Sequence, residues 1–184
     1  MNPLILLIPF AISVVLSTVS KKTGYISLII SSALLAVYAT IYTGLNPLTF
    51  FYLISAVVLI LSSWYSAGHD KQHRWLAPLF ASAAFGIVTV LLSQNFLQFI
   101  AGWEIMSISG YIMVGLNKKD STPAFAFSAF SELSTVFLIA GMAYAYTITG
   151  TLNFVTIPNI LPLTLMAIGF SIKMGLLPFM IADW

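Results

Sequence analysis

Three ionisable residues lie where a segment built only to cross oil would not carry them. Glu104, Glu132 and Lys173 each fall inside a long apolar run. A charge at the bilayer centre costs about 3 kcal/mol on the insertion scale, so three cost roughly 9. That is comparable to the whole stability of a small domain. One buried Glu–Lys pair can serve merely to hold helices in register. Two carboxylates and one ammonium in three consecutive segments fit ion or proton handling better, because ionisable groups inside a membrane mark pathways.

Helical spacing supplies polar neighbours unevenly. On a 3.6-residue period Glu104 shares a face with Ser107 and Tyr111, and Glu132 with Ser128 and Thr135. Hydroxyls there can satisfy the carboxylates or hold water chains, although Ser and Thr also occur simply where membrane helices pack closely. Lys173 has Gly169, Phe170, Leu176 and Leu177 at i±3 and i±4. Its partner must therefore come from another helix, and Glu104 is the first candidate. Pro178 deprives the Met174 carbonyl of an intrahelical bond, so the segment should bend or unwind there. That break suits either a hydrated path or an ordinary helix end. The chemistry these parts allow is proton relay. Burial opposes charge on Lys173 and a nearby carboxylate favours it, so the ammonium can load or release a proton as Glu104 changes. Glu132, Ser128 and Thr135 would extend the path sideways.

The elements that position these residues follow from composition. The chain has 184 residues, seven Lys or Arg, five Asp or Glu, and no Cys. Charged residues make up 7% and hydrophobic ones 60%, against about 25% charged in a soluble domain. An all-α polytopic membrane bundle is expected, since an open strand edge in lipid would leave backbone groups unsatisfied. Net charge +2 spread over short loops gives no face for nucleic acid. The lack of Cys excludes disulfides, iron–sulfur clusters and Cys-ligated zinc. His69 and His73 stand four apart, a spacing that can chelate a metal, but they share a charged loop with Asp70, Lys71 and Arg74 and read better as solvated. No cofactor or metal is expected in this chain.

About seven transmembrane helices are predicted. Residues 1–20 form the first; the positive charges Lys21 and Lys22 follow its apolar core, the reverse of a signal peptide. The uncharged stretch 23–69 is too long for one span of roughly 20 residues and breaks at Thr43-Gly44-Leu45-Asn46-Pro47. A second pair of helices flanks Ser93-Gln94-Asn95, with Glu104 near the middle of the fifth helix. The sixth is expected at roughly 123–147 and the seventh at roughly 161–181, so that Lys173 lies short of its end. The chain reads as a single membrane domain, 1–184, with the first four helices in 1–92 and the charge-bearing three in 93–184. Six of the seven cations follow odd-numbered helices: Lys21, Lys22, Lys71, Arg74, Lys118 and Lys119. This predicts the N-terminus outside and a multi-pass chain in the cell membrane. Trp64, Tyr65 and Trp75 flank the third loop, where an aromatic belt belongs.

Two segments carry a resemblance. Trp103-Glu104-Ile105-Met106-Ser107-Ile108-Ser109-Gly110-Tyr111-Ile112-Met113-Val114-Gly115 is one. Gly169-Phe170-Ser171-Ile172-Lys173-Met174-Gly175-Leu176-Leu177-Pro178-Phe179, ending Ala182-Asp183-Trp184, is the other. Both resemble the antiporter-like membrane subunits of respiratory complex I, of energy-converting membrane hydrogenases and of multisubunit cation/proton antiporters. The Gly150-Thr151-Leu152-Asn153 loop fits as well. The resemblance implies that Glu104 and Lys173 match the glutamate and lysine held to drive proton translocation, that redox chemistry resides in partner subunits, and that the N-out topology is shared. Glu132 falls in a helix where members of that family vary.

One departure is large: family members are usually about twice as long, with two inverted repeats. The resemblance therefore covers an N-terminal half, and a separate chain is expected to supply the C-terminal half unless the sequence is a truncation. The resulting reading is a proton-translocating subunit, or half-subunit, of a respiratory or hydrogenase-type oxidoreductase complex. The alternatives are a cation/proton antiporter subunit, a non-transporting scaffold, and an unrelated seven-helix carrier.

Overall fold

A computed structural model describes residues 3–44, 46–69, 73–116 and 122–176. Within them the fold is all helical: α1 (Leu7–Val19, preceded by a 3₁₀ turn, Pro3–Leu6), α2 (Lys21–Tyr42), α3 (Pro47–His69), α4 (Leu76–Leu92), α5 (Phe96–Gly115), α6 (Thr122–Thr149) and α7 (Ile160–Lys173). Four of these, α2, α3, α5 and α6, are long and apolar enough to cross a membrane by length and composition. The other three are apolar but shorter.

Local chemistry explains the boundaries. Ser20 alone separates α1 from α2, so Lys21 and Lys22 form the first turn of α2, not the loop expected of them. At the next turn Gly44 takes a positive φ of 65° and Asn46 caps α3, its Oδ1 accepting from the Thr49 amide at 3.0 Å. Asn95 caps α5 by accepting from the Gln98 amide at 2.9 Å, and Gln98 Oε1 returns a bond to the Gln94 amide at 2.8 Å. The α6–α7 connection folds back on this cap: the Phe96 amide donates to the Leu152 carbonyl at 2.9 Å, and Asn95 pairs with Asn153. Asn159 caps α7 through the Leu161 amide. Trp64, Tyr65 and Trp75 are exposed as an aromatic belt requires, and Arg74 lies over the Trp75 ring at 5.6 Å. His69 stacks on Tyr65 with ring centroids 4.2 Å apart.

Two apolar clusters fill the interior. One gathers Phe10, Tyr25, Leu28, Leu35, Ala56 and Val88 from α1–α4. The other gathers Phe96, Trp103, Leu138, Met142, Ala145 and Met166 from α5–α7. The α4–α5 contact joins them through Gly86 and Gly102. A Cβ on Gly86 would sit 2.6 Å from the Met106 amide nitrogen, and one on Gly102 would sit 2.8 Å from the Gly86 carbonyl oxygen. Both obstacles are backbone, so nothing there can swing aside. In lipid, where helices gain little from hiding apolar surface, such close approach is what holds them together. Gly102→Leu should therefore separate α4 from α5 and destabilise the fold by about 3 kcal/mol or more. Survival of the folded fraction on heating in detergent, read by size exclusion, checks this against Gly68→Leu, an open position that should change little.

Candidate functional site

The site lies where α5, α6 and α7 converge. α5 and α6 run antiparallel, and their register pairs Glu104 with Thr135 and places Ser107 level with Ser131. Thr135 Oγ1 donates to Glu104 Oε1 at 2.6 Å. One turn away, Lys173 Nζ donates to Ser107 Oγ at 2.6 Å and also to Ser131 Oγ. Ser107 Oγ donates in turn to the Trp103 carbonyl at 2.7 Å, and Thr135 Oγ1 lies 3.2 Å from the Ser131 carbonyl. Ser107, Ser131 and Thr135 are buried, while Glu104 and Lys173 are half-buried. The ammonium also sits 5.4 Å from the ring centres of Trp103 and of Phe127. Aromatic faces contribute further attraction to a desolvated cation.

Packing of α7 on α6 delivers Lys173 to this place. A Cβ on Gly169 would lie 2.8 Å from the Ser134 carbonyl oxygen, so only glycine lets α7 approach so closely. Ser134 Oγ fastens the same crossing by donating to the Gly169 carbonyl at 2.8 Å. The next turn of α7 then carries Lys173 beside Ser131. The backbones of α5 and α7 do not pack together among the described residues. They meet through side chains: the Phe170 ring meets Phe99 and Trp103 edge to face at 5.9 and 5.5 Å.

The helix does not continue past the lysine as expected. α7 ends at Lys173, well before Pro178, which lies outside the described residues along with Leu177 and residues 179–184. Gly175 has a φ of +64°, and its amide donates to the Ile172 carbonyl at 3.1 Å while the Leu176 amide donates to the Ser171 carbonyl at 3.0 Å. This is the paired closure of a Schellman motif, for which glycine is the favoured residue. Lys173 thus stands at the carbonyl end of a helix, where the backbone dipole favours a cation. At 14 residues, α7 is about 21 Å long, shorter than a hydrocarbon core of about 30 Å.

The remaining sequence candidates divide. Ser107 and Thr135 join the cluster. Ser128 is half-buried and makes no hydrogen bond among the described residues, and Tyr111 is 42% exposed. Glu132 is exposed on the outer side of α6, although its field reaches Lys173. The expected direct contact between Glu104 and Lys173 is not made: the carboxylate binds Thr135, and the ammonium binds Ser107 and Ser131 one turn away. No carboxylate lies within 4.0 Å of the ammonium among the described residues. Sequence reasoning missed Ser131, whose one signal is its place a turn before Thr135, in a buried row with Ser134, Leu138 and Gly141. Lys71, Lys118, Lys119 and Asp70 lie outside the described residues.

Comparison with known proteins bears on this arrangement. A family model described as NADH:quinone oxidoreductase/Mrp antiporter, TM, matches residues 93–182, which span α5 to α7 and the whole hydroxyl cluster. Over those residues the chain matches this antiporter-like family of membrane proteins. It is 28% identical over 146 residues to NADH-quinone oxidoreductase subunit N of Thioalkalivibrio sulfidiphilus, which covers 70% of the chain and 30% of that protein. It is 33% identical over 106 residues to subunit L of Buchnera aphidicola subsp. Schizaphis graminum, covering 55% of the chain and 17% of that protein. Its fold is that of a chain in the membrane-bound sulfane sulfur reductase, an archaeal respiratory membrane complex. The TM-score is 0.70 at 20% identity, and the match covers 97% of this chain and 46% of the other. The chain therefore spans under half the length of these relatives.

The Thr135–Glu104 bond makes a quantitative prediction. A hydrogen bond to a charged group contributes about 1.5–3 kcal/mol. A double-mutant cycle of Thr135→Val with Glu104→Gln, read by thermal unfolding in detergent, should return a coupling of about 1–3 kcal/mol. The same cycle between Ser128→Ala and Glu104→Gln should return a coupling near zero.

Proposed function

We propose that this chain is a proton-handling membrane subunit, or half of one, in a respiratory or hydrogenase-type redox complex. The observation that carries the reading is the hydroxyl-bound pair: Lys173 at a helix end, bound by Ser107 and Ser131, one turn from the Thr135–Glu104 bond. A hydroxyl both donates and accepts. A proton leaving the Lys173 ammonium passes to Ser131 Oγ as that hydroxyl releases its own proton to a water that would bridge the gap to Thr135, since no hydroxyl–hydroxyl bond joins the two among the described residues. The Glu104 carboxylate is the acceptor at the far side, and the same steps run backward to reload the lysine. Redox chemistry belongs to partner subunits, which supply the free energy. The loop charges support an N-out, multi-pass orientation in the cell membrane.

A second reading, a cation/proton antiporter subunit, is favoured by the family description itself, which spans both kinds of protein. The two separate by ion dependence. Proton uptake by the assembled complex in proteoliposomes is expected to follow substrate oxidation or reduction and to be indifferent to sodium.

Lys173→Met and Glu104→Gln should each lower that uptake at least about tenfold, the loss expected when a proton-transfer group is removed. Ser131→Ala should lower it less, because Ser107 still binds the ammonium. Size exclusion should show the complex intact in each case. Uptake at the unsubstituted rate in Lys173→Met would overturn the reading.

A further inference from the structure

The hydroxyl cluster leaves one mid-membrane charge unused. Glu132 lies about 15 Å from one end of α6 and about 25 Å from the other, close to the middle of the span. Its side chain is exposed, and it has no hydrogen bond or ion pair among the described residues. Glu104 has its hydroxyl donor and Lys173 its two acceptors, but Glu132 faces outward with neither. Acyl chains offer a carboxylate nothing, and an unsatisfied polar group in hydrocarbon is costly.

The face around it mixes small and bulky residues, unlike the outward face of α3. α3 presents Leu48, Phe50, Phe51, Ile54, Val57 and Leu61, bulky apolar groups of the sort that suit acyl chains. On α6, Ala129, Ala140 and Ala143 are exposed with Glu132, interspersed among the bulkier Phe125, Val136 and Ile139. Small residues let a neighbouring helix approach closely. Charge points to what that neighbour carries. Glu104, Glu132 and Lys173 sum to −1 in a low-dielectric slab, and one further cation at this depth brings the group to neutrality.

We propose that the Glu132 face of α6 is a docking surface within the bilayer, covered by a membrane-spanning helix of a partner subunit that places a lysine or arginine against Glu132. The inference concerns assembly and stands whether or not protons move through Glu104 and Lys173.

Site-specific photocrosslinking in the native membrane tests it. Benzoylphenylalanine at Val136 should yield an adduct to a membrane-spanning peptide that carries Lys or Arg within one helical turn of the linked residue. The same probe at Val57 on α3 should label lipid. Glu132→Leu should cut the Val136 adduct about tenfold, the effect of losing little more than 1 kcal/mol of binding. Glu132→Lys combined with exchange of the partner's cation for Glu should restore it. Lipid labelling alone at Val136, an adduct to a helix with no nearby cation, or an undiminished adduct in Glu132→Leu would each overturn the proposal. The unsubstituted chain decides the first two outcomes, so a folding defect in the variant does not blur them. The readout is adduct yield, which tells apart a failure of this docking surface from a failure of proton transfer at Glu104 and Lys173.

Discussion

An ammonium held in oil must be solvated by protein, and the α5–α7 region is organised around that requirement. Lys173 receives two serine hydroxyls, two aromatic faces and the carbonyl end of its own helix. None of these groups would suffice alone against the cost of removing a full charge from water. Each comes from a different part of the chain: Ser107 and Trp103 from α5, Ser131 and Phe127 from α6, the dipole from α7. The three helices must therefore meet in one register, and a slip by one residue would turn the hydroxyls away.

Close packing enforces that register. Gly169 admits the α6 backbone, and Ser134 locks the crossing by bonding the Gly169 carbonyl. Gly86 and Gly102 perform the same service between α4 and α5, fixing the depth of Glu104 and Ser107. The loop after α6 returns to hydrogen-bond the start of α5, so both ends of the α5–α6 pair are tied. Precision in the site thus comes from backbone contacts several residues away, where no polar chemistry is visible.

Much of this was legible in the residues. Apolar length and turn signals at Gly44-Leu45-Asn46-Pro47 and Ser93-Gln94-Asn95 located the helices, because lipid imposes a simple rule on composition. Mid-span charges singled out Glu104 and Lys173 for the same reason. Periodicity grouped Ser107 with Glu104 and Thr135 with Glu132, whereas Ser107 binds Lys173 and Thr135 binds Glu104, partners on other helices that the pattern of one helix does not name. Three things were not legible. Gly175 ends α7 early, yet a glycine in a membrane helix is as often a packing residue as a stop, and the conspicuous Pro178 drew the boundary too late. Ser131 lies on the opposite flank of α6 from Glu132, a difference that periodicity reports only when the neighbouring helix is known. The spacing of Glu104 from Lys173 by hydroxyls also depends on side-chain reach, which no sequence pattern encodes.

That spacing has a physical consequence. Two opposite charges 4 Å apart attract by about 4 kcal/mol at an effective dielectric constant of 20. A direct Glu104–Lys173 pair would hold the proton on the lysine by that amount, and moving it would require breaking the pair. Giving Glu104 the Thr135 hydroxyl and Lys173 the Ser131 hydroxyl weakens the direct attraction and leaves two hydroxyls one helical turn apart on α6. Hydroxyls are suited to the task because each can rotate, donating in one orientation and accepting in the other. A carbonyl could only accept and an ammonium only donate, and either would fix the direction of the chain. The two hydroxyls, with water to span the turn between them, would leave it reversible, so small changes in the field at either end can decide which way it runs.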